Sequence, residues 1–309
     1  MGILLLSSPL PAAPFADALR AAAPDVPVWT SLDEAPPEEV EIVMAWRLQP
    51  GVLPRLPNLR ALCSLAAGVD KLVGVPDLPP TLPVTRVVDP MQGVQIAQYV
   101  LAGALTFTRD LRRYADQQAR GIWERHPVRP VQQCRVGLLG LGAVGQAIAR
   151  AFAPLAYPVA GWSRRPRELP GIQCFAGDAA LPQLLGRSDI LVCALPLTAG
   201  TRGLLNRERL SLLPRGAIVV NVGRGEQMVE PDLKALLDEG HLAGAVMDVF
   251  DREPPRPDDW TWTHPKVLAT PHIAAQASFD TVAAQCVDTL RRLRAGQPPQ
   301  WLVDRSAGY

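Results

Sequence analysis

The chain has 309 residues, 48% of them hydrophobic and 20% charged, with a formal net charge of +1. That length suggests two domains with enough apolar residues for two buried cores. A near-neutral charge without runs of like sign argues against nucleic acid or an anionic membrane as a partner.

The opening "MGILLLSSPLPAA" has no basic residue before Arg20, and its apolar run Ile3–Leu6 is too short for a signal peptide. Leu6 also stands where a myristoylation signal needs Ser or Thr, so the stretch reads as a first core strand. The five cysteines, Cys63, Cys134, Cys174, Cys193 and Cys286, form no C-x-x-C pair. A cytoplasmic, reducing setting with thiols buried as small apolar residues is expected, and no metal site.

Further along, "VPVWT", "EIVMAW", "LRALCSLAAG" and "PVTRVV" read as strands of a smaller α/β domain. After the turn-rich Pro76–Pro90, "IAQYVLAGALTFTRDLRRYADQQA" carries apolar residues at helical spacing and reads as one long helix joining two domains. From Cys134 onward, "VGLLG", "PVAGW", "DILVCAL", "AIVVNV", "GAVMDVF" and "KVLATPH" read as buried strands. Between them lie helical patterns such as "AVGQAIARAFAPL" and "PDLKALLDEGH". This alternation predicts a doubly wound parallel sheet buried on both faces. "PPRPDDW" reads as a loop, and "SFDTVAAQCVDTLRRLRAG" as a final amphipathic helix. No segment is long and apolar enough to span a membrane.

Gly140-Leu141-Gly142-Ala143-Val144-Gly145 spells G-x-G-x-x-G directly after a predicted strand and at the start of a predicted helix. Gly140 permits the tight turn, Gly142 the approach of a pyrophosphate, and Gly145 close packing of helix on strand. The N–H groups of Ala143 and Val144 open the helix toward the phosphates. The next strand ends in Ser163-Arg164-Arg165, with no carboxylate before Glu168. An acidic residue there would hold the ribose hydroxyls of NAD, whereas a hydroxyl and two guanidinium forks suit a 2′-phosphate. NADPH is therefore expected over NADH, the alternative being a solvated basic turn.

Arg224 in "NVGRG", Asp248 and Glu253 in "DVFDREPP", and His272 in "TPHIAA" follow in order at predicted strand ends. Ligands bind at that edge of an open α/β sheet. Arg224 suits a carboxylate and a polarised carbonyl, and His272 suits proton donation near neutral pH. Glu253, if hydrogen-bonded to His272, would orient it and favour its protonated form. His126, His241 and His264 read as structural.

With these motifs in order, the sequence resembles the D-isomer-specific 2-hydroxyacid dehydrogenases over nearly its whole length. "WSR", "FAG", "DREP" and the C-terminal "VDRSAGY" are similar to the glyoxylate/hydroxypyruvate reductase A branch. The resemblance implies that Arg224, Glu253 and His272 are catalytic, with glyoxylate or hydroxypyruvate as the small 2-oxo acid. "LAAGVD" would be the substrate loop, with Ala67, Gly68 and Val69 near the carboxylate and Ala66 a departure from the family's usual glycine. Trp46 in "MAWR" either lines the pocket or packs the first domain's core. Asp248 would contact the nicotinamide carboxamide, while Leu195, Pro196, Thr201 and Val222 would flank the cofactor.

The same resemblance implies a homodimer of two Rossmann-like α/β domains, the cofactor domain inserted into the substrate domain. The expected boundaries are 96–275 for the cofactor domain, and 1–95 plus 276–309 for the other. Formate dehydrogenases, which place Gln where Glu253 stands, are disfavoured; an NADH-linked enzyme for another 2-oxo acid stays open. So does a dinucleotide-sensing corepressor, although a two-domain length without extra tails favours an enzyme.

Overall fold

A computed structural model describes residues 1–305. The Ser306–Tyr309 end of the "VDRSAGY" match therefore lies outside the described residues. The chain divides into two compact units, one made of Met1–Pro90 and the chain from Ala277 onward, the other of Met91–Gln276.

The first unit begins β1 (Gly2–Leu6), α1 (Ala12–Ala22), β2 (Val28–Trp29), β3 (Val40–Ala45), β4 (Ala61–Ser64), α2 (Asp70–Val73) and β5 (Val84–Thr85). Its five strands are all parallel, in the order β2-β1-β3-β4-β5. The period of two sorts side chains onto opposite faces. Ile3, Leu5, Ile42 and Met44 pack with Phe15 and Leu19 of α1, whereas Leu4, Val43 and Leu62 pack with Leu53 and Leu72.

The second unit runs through α3 (Pro90–Thr108), α4 (Leu111–Ala119), β6 (Val136–Leu139), α5 (Ala143–Phe152), β7 (Val159–Ser163), β8 (Gln173–Ala176) and α6 (Leu181–Leu185). It continues with β9 (Ile190–Cys193), α7 (Arg207–Leu210), β10 (Ala217–Asn221), α8 (Glu230–Asp238), β11 (Leu242–Met247) and β12 (Val267–Ala269). The seven strands are parallel, in the order β12-β11-β10-β9-β6-β7-β8. Numbered within the unit, this is the doubly wound 3-2-1-4-5-6 arrangement with one strand added. Leu139, Leu191, Val219 and Met247 face α6 and α8, while Leu138, Val192, Val220 and Val246 face α3 and α5. Then α9 (Phe279–Arg294) returns to the first unit, burying Val282, Cys286, Val287 and Leu290 beside Ile3 and Leu5.

Two expectations need correction. The single long helix is broken between Thr108 and Leu111, where Asp110 takes φ +51° and its carbonyl starts α4 by accepting from the Tyr114 N–H. Aspartate visits this left-handed region more readily than most residues, and the helical spacing of apolar residues does not register such a break. The strand β8 has no counterpart among the predicted runs. It is a half-exposed edge strand of four residues, without the apolar signature of a buried one.

Candidate active site

The glycine-rich turn lies where the strand order of the seven-stranded sheet reverses, between β6 and β9. Gly140 takes φ +107°, and a Cβ there would lie 2.8 Å from the Ala194 carbonyl oxygen. A Cβ on Gly145 would run into the Gly140 carbonyl, whereas one on Gly142 would meet nothing within 4 Å. The turn is thus closed on the sheet side and open on the side a ligand would approach. Gly142 caps α5, so Ala143 and Val144 hold its first positions, where N–H groups have no acceptor within the helix.

At the end of β7 the buried Ser163 hydroxyl donates to the Arg165 carbonyl (2.7 Å) and folds the following turn. Arg164, Arg165 and Arg167 are exposed, and none pairs with an acidic side chain among the described residues. The three guanidinium groups in one short turn, with no carboxylate at the strand end, suit a dianionic phosphate. A dinucleotide with a 2′-phosphate fits this edge.

Beyond β9, Leu195 is buried, and the Thr201 hydroxyl donates to the Pro196 carbonyl (2.7 Å). Val222, just past β10, donates its N–H to Cys193 O (3.0 Å). The link from this loop to Arg224 is Gln227, which sequence reading did not single out. Its side chain is fully buried. The amide Nε2 donates to Leu195 O and Pro196 O (both 3.0 Å), and Oε1 accepts from the Arg224 N–H (2.9 Å) and the Cys193 thiol (3.3 Å). All four hydrogen-bonding positions of the amide are used. Burial pushes the Cys193 thiol up to about 12, so it stays a neutral donor. The Arg224 guanidinium donates to the Gly223 carbonyl (2.8 Å).

Glu253 and His272 meet directly: His272 Nδ1 lies 3.1 and 3.2 Å from the two carboxylate oxygens. A carboxylate only accepts, so Nδ1 carries the hydrogen, and Nε2 is the ring atom that can exchange a proton. Asp248 is 1% exposed, and its carboxylate accepts from the Ile273 and Ala274 N–H groups (both 2.8 Å) and the Thr270 hydroxyl (2.6 Å). It holds the loop that carries His272, which its place after a hydrophobic run did not reveal. The other histidines lie elsewhere: His126 Nε2 is 3.0 Å from Gln117, His264 is 3.1 Å from Asp238, and His241 follows α8.

In the first unit, Trp46 follows β3 and donates its N–H to Leu6 O (3.2 Å), next to the point where that sheet's order reverses. The Lys71 ammonium lies 5.6 Å from the indole centroid. Ala67, Gly68 and Val69 form the loop between β4 and α2, where Ser64 Oγ donates to Gly68 O (3.2 Å) and accepts from the Ala66 N–H (3.0 Å). Among the described residues no cluster of His, Cys, Asp and Glu could hold a metal, and no helix is long and apolar enough to cross a membrane.

Residues 101–274 match the family "D-isomer specific 2-hydroxyacid dehydrogenase, NAD binding domain". Over 259 residues, 81% of this chain and 82% of the relative, the sequence is 37% identical to glyoxylate/hydroxypyruvate reductase A of Klebsiella pneumoniae (strain 342). The chain belongs to the D-isomer specific 2-hydroxyacid dehydrogenase family. As such it is an NAD(P)-dependent oxidoreductase. Two solved structures extend the likeness over the whole chain. A family member from Xanthobacter autotrophicus Py2 in complex with NADPH and MES is 41% identical, with a TM-score of 0.90 over 100% of this chain and 99% of that one. An NADPH-dependent glyoxylate/hydroxypyruvate reductase from Sinorhizobium meliloti, with NADP and sulfate bound, is 31% identical, with a TM-score of 0.92 over the same shares.

Proposed function

We propose that this dehydrogenase is an NADPH-dependent reductase of small 2-oxo acids, glyoxylate and hydroxypyruvate foremost, producing D-2-hydroxy acids. The observation that carries the reading is the His272–Glu253 pair on the same sheet edge as the glycine-rich turn and the Ser163–Arg165 turn. Both kinds of relative, the reductase from Klebsiella and the structures with NADPH or NADP bound, support it.

The phosphates are assigned to Gly140, Gly142, Ala143, Val144 and Gly145, and the 2′-phosphate to Ser163, Arg164 and Arg165. Leu195, Pro196, Thr201 and Val222 flank the dinucleotide. Asp248 has one acceptor position left on Oδ2 for a carboxamide N–H. NADPH supplies the hydride. Arg224 holds the substrate carboxylate and draws charge onto the carbonyl oxygen as the hydride adds to its carbon. The His272 Nε2 proton goes to that oxygen, leaving a neutral imidazole, and Glu253 keeps the ring aimed throughout. Trp46, Ala67, Gly68 and Val69 are assigned to substrate recognition, and 1–95 with 276–309 to the substrate domain around the inserted cofactor domain 96–275.

A homodimer completes the proposal. Trp123 is 97% exposed, and Leu111, Ile122 and Val128 are exposed in the same stretch. Apolar surface of that kind supports a contact face, and sedimentation at a dimer's mass is expected. The test of the function is kcat/KM for glyoxylate and hydroxypyruvate with NADPH and with NADH. Preference for NADPH by about a hundredfold is expected from paired guanidinium–phosphate contacts. Equal use of NADH would mean that the arginines form a solvated turn; binding without turnover would favour a dinucleotide sensor.

A further inference from the structure

The loop that carries His272 is held by a hydrogen-bond chain that begins on α3. His272 has φ +55°, a left-handed conformation uncommon for a residue with a side chain, and here its surroundings hold it. Its own N–H points to the carbonyls of Asp248 (2.9 Å) and Thr270 (3.0 Å), and the next two N–H groups are gripped by the Asp248 carboxylate. The Thr270 hydroxyl donates to that carboxylate at 2.6 Å, which commits its only proton. The contact of 2.5 Å between Thr270 Oγ1 and the Tyr99 phenol therefore has one direction, with Tyr99 donating. Burial, reinforced by the Asp248 charge, pushes the Tyr99 phenol up to about 12 against the opposing Thr270 hydrogen bond, so it remains a donor at any working pH. The chain runs Tyr99 O–H to Thr270 O–H to the Asp248 carboxylate, each bond polarising the next.

We propose that Tyr99 is a positioning residue for His272. By closing the Thr270–Asp248 chain it keeps the left-handed loop in the one conformation that presents the imidazole to Glu253. The inference deepens the proposed function, because it rests on His272 as the proton donor.

Tyr99→Phe tests it by removing one hydroxyl. A loop slightly out of place lowers kcat for glyoxylate by about tenfold, while KM and the NADPH dissociation constant stay within about twofold. The kinetic isotope effect with NADPH deuterated at the transferred position rises, since the chemical step becomes more fully limiting. A merely smaller fraction of folded enzyme would lower kcat but leave the isotope effect unchanged, and NADPH titration would count that fraction. Combining Tyr99→Phe with Thr270→Val gives no more loss than Thr270→Val alone, because both act on one chain. Amide exchange gives a readout without turnover: residues 272–274 exchange faster in Tyr99→Phe, the rest of the seven-stranded sheet at its former rate. Unchanged exchange at 272–274, or an unchanged isotope effect with multiplicative losses in the double variant, overturns the proposal. If wild type and His272→Gln turn over 2-oxo acids equally, the proton-donor reading fails instead, and the exchange data still decide whether Tyr99 holds the loop.

Discussion

At the amino-terminal edge of each sheet a buried carboxylate sits between two arginines, while the carboxyl edge carries glycine turns, hydroxyls and the imidazole. Glu41, near the start of β3, takes Arg60 at 3.3 Å and Arg294 at 2.6 Å. Asp189, just before β9, takes Arg129 at 2.8 Å and Arg135 at 2.7 Å. Burial alone would raise both carboxyls, but the guanidinium hydrogen bonds and charges outweigh it and hold both below the usual carboxylate range. The two clusters tie distant stretches of chain: Arg294 belongs to α9, and Arg129 lies in the loop before β6. Charge at the amino edges thus serves folding, whereas the carboxyl edge of the seven-stranded sheet carries the exposed arginines after β7 and the His272–Glu253 pair. The two edges should therefore respond differently to substitution.

The largest separation is expected from His272→Gln. It should lower kcat by about 10²–10⁴-fold, the usual worth of a general acid, and shift the thermal midpoint by no more than about 2 °C. A parallel loss of stability would blur the distinction between the edges.

Asp189→Asn should do the reverse. It should cost about 2 kcal/mol, at the modest end for a charged pair because both arginines reach solvent, with kcat per folded molecule unchanged. Stability should also depend on pH with a definite sign. A carboxyl whose folded pKa is depressed stabilises the fold above its unfolded value, and that stability is lost as pH falls through the folded one. The thermal midpoint should therefore drop steeply below about pH 4, and Asp189→Asn with Glu41→Gln should flatten that limb.

The smallest effect, and the sharpest test of charge at the carboxyl edge, is Arg164→Ala or Arg165→Ala. Each should raise KM for NADPH by about tenfold, one guanidinium–phosphate contact, and leave NADH untouched. Equal changes with both cofactors would assign these arginines to the turn rather than to the phosphate.

Much of this organisation can be read from the residues in order. The runs from Val136 to Ala269 announce strands because side chains buried on both faces must be apolar, and β-branched residues suit the pleat. The four-residue β8 escapes because an edge strand needs neither. Gly140, Gly142 and Gly145 are legible because their spacing after a strand and before a helix is a recognised pattern for a tight turn that a phosphate could approach. Arg224, Glu253 and His272 stand out as candidates because proton transfer and carboxylate recognition would draw on a short list of side chains. Gln227 and Tyr99 are not. A glutamine in "GRGEQM" looks like any loop polar residue, and a tyrosine in an apolar helix looks like core.

The sequence by itself determined a doubly wound parallel-sheet domain beside a smaller α/β domain, a dinucleotide turn, a basic rather than acidic strand end after it, and three strand-end residues fit for reducing a carbonyl. Each follows from local requirements: periodicity, backbone freedom and the chemistry of single side chains. Only the tertiary structure decided that Asp110 breaks the long helix, that Gln227 ties the Leu195–Pro196 loop to Arg224, and that Asp248 and Tyr99 grip the loop of His272. Those roles depend on burial and on hydrogen bonds between residues as many as 171 positions apart in the chain. Such partners are chosen by how helices and strands pack, which no local pattern in the sequence records.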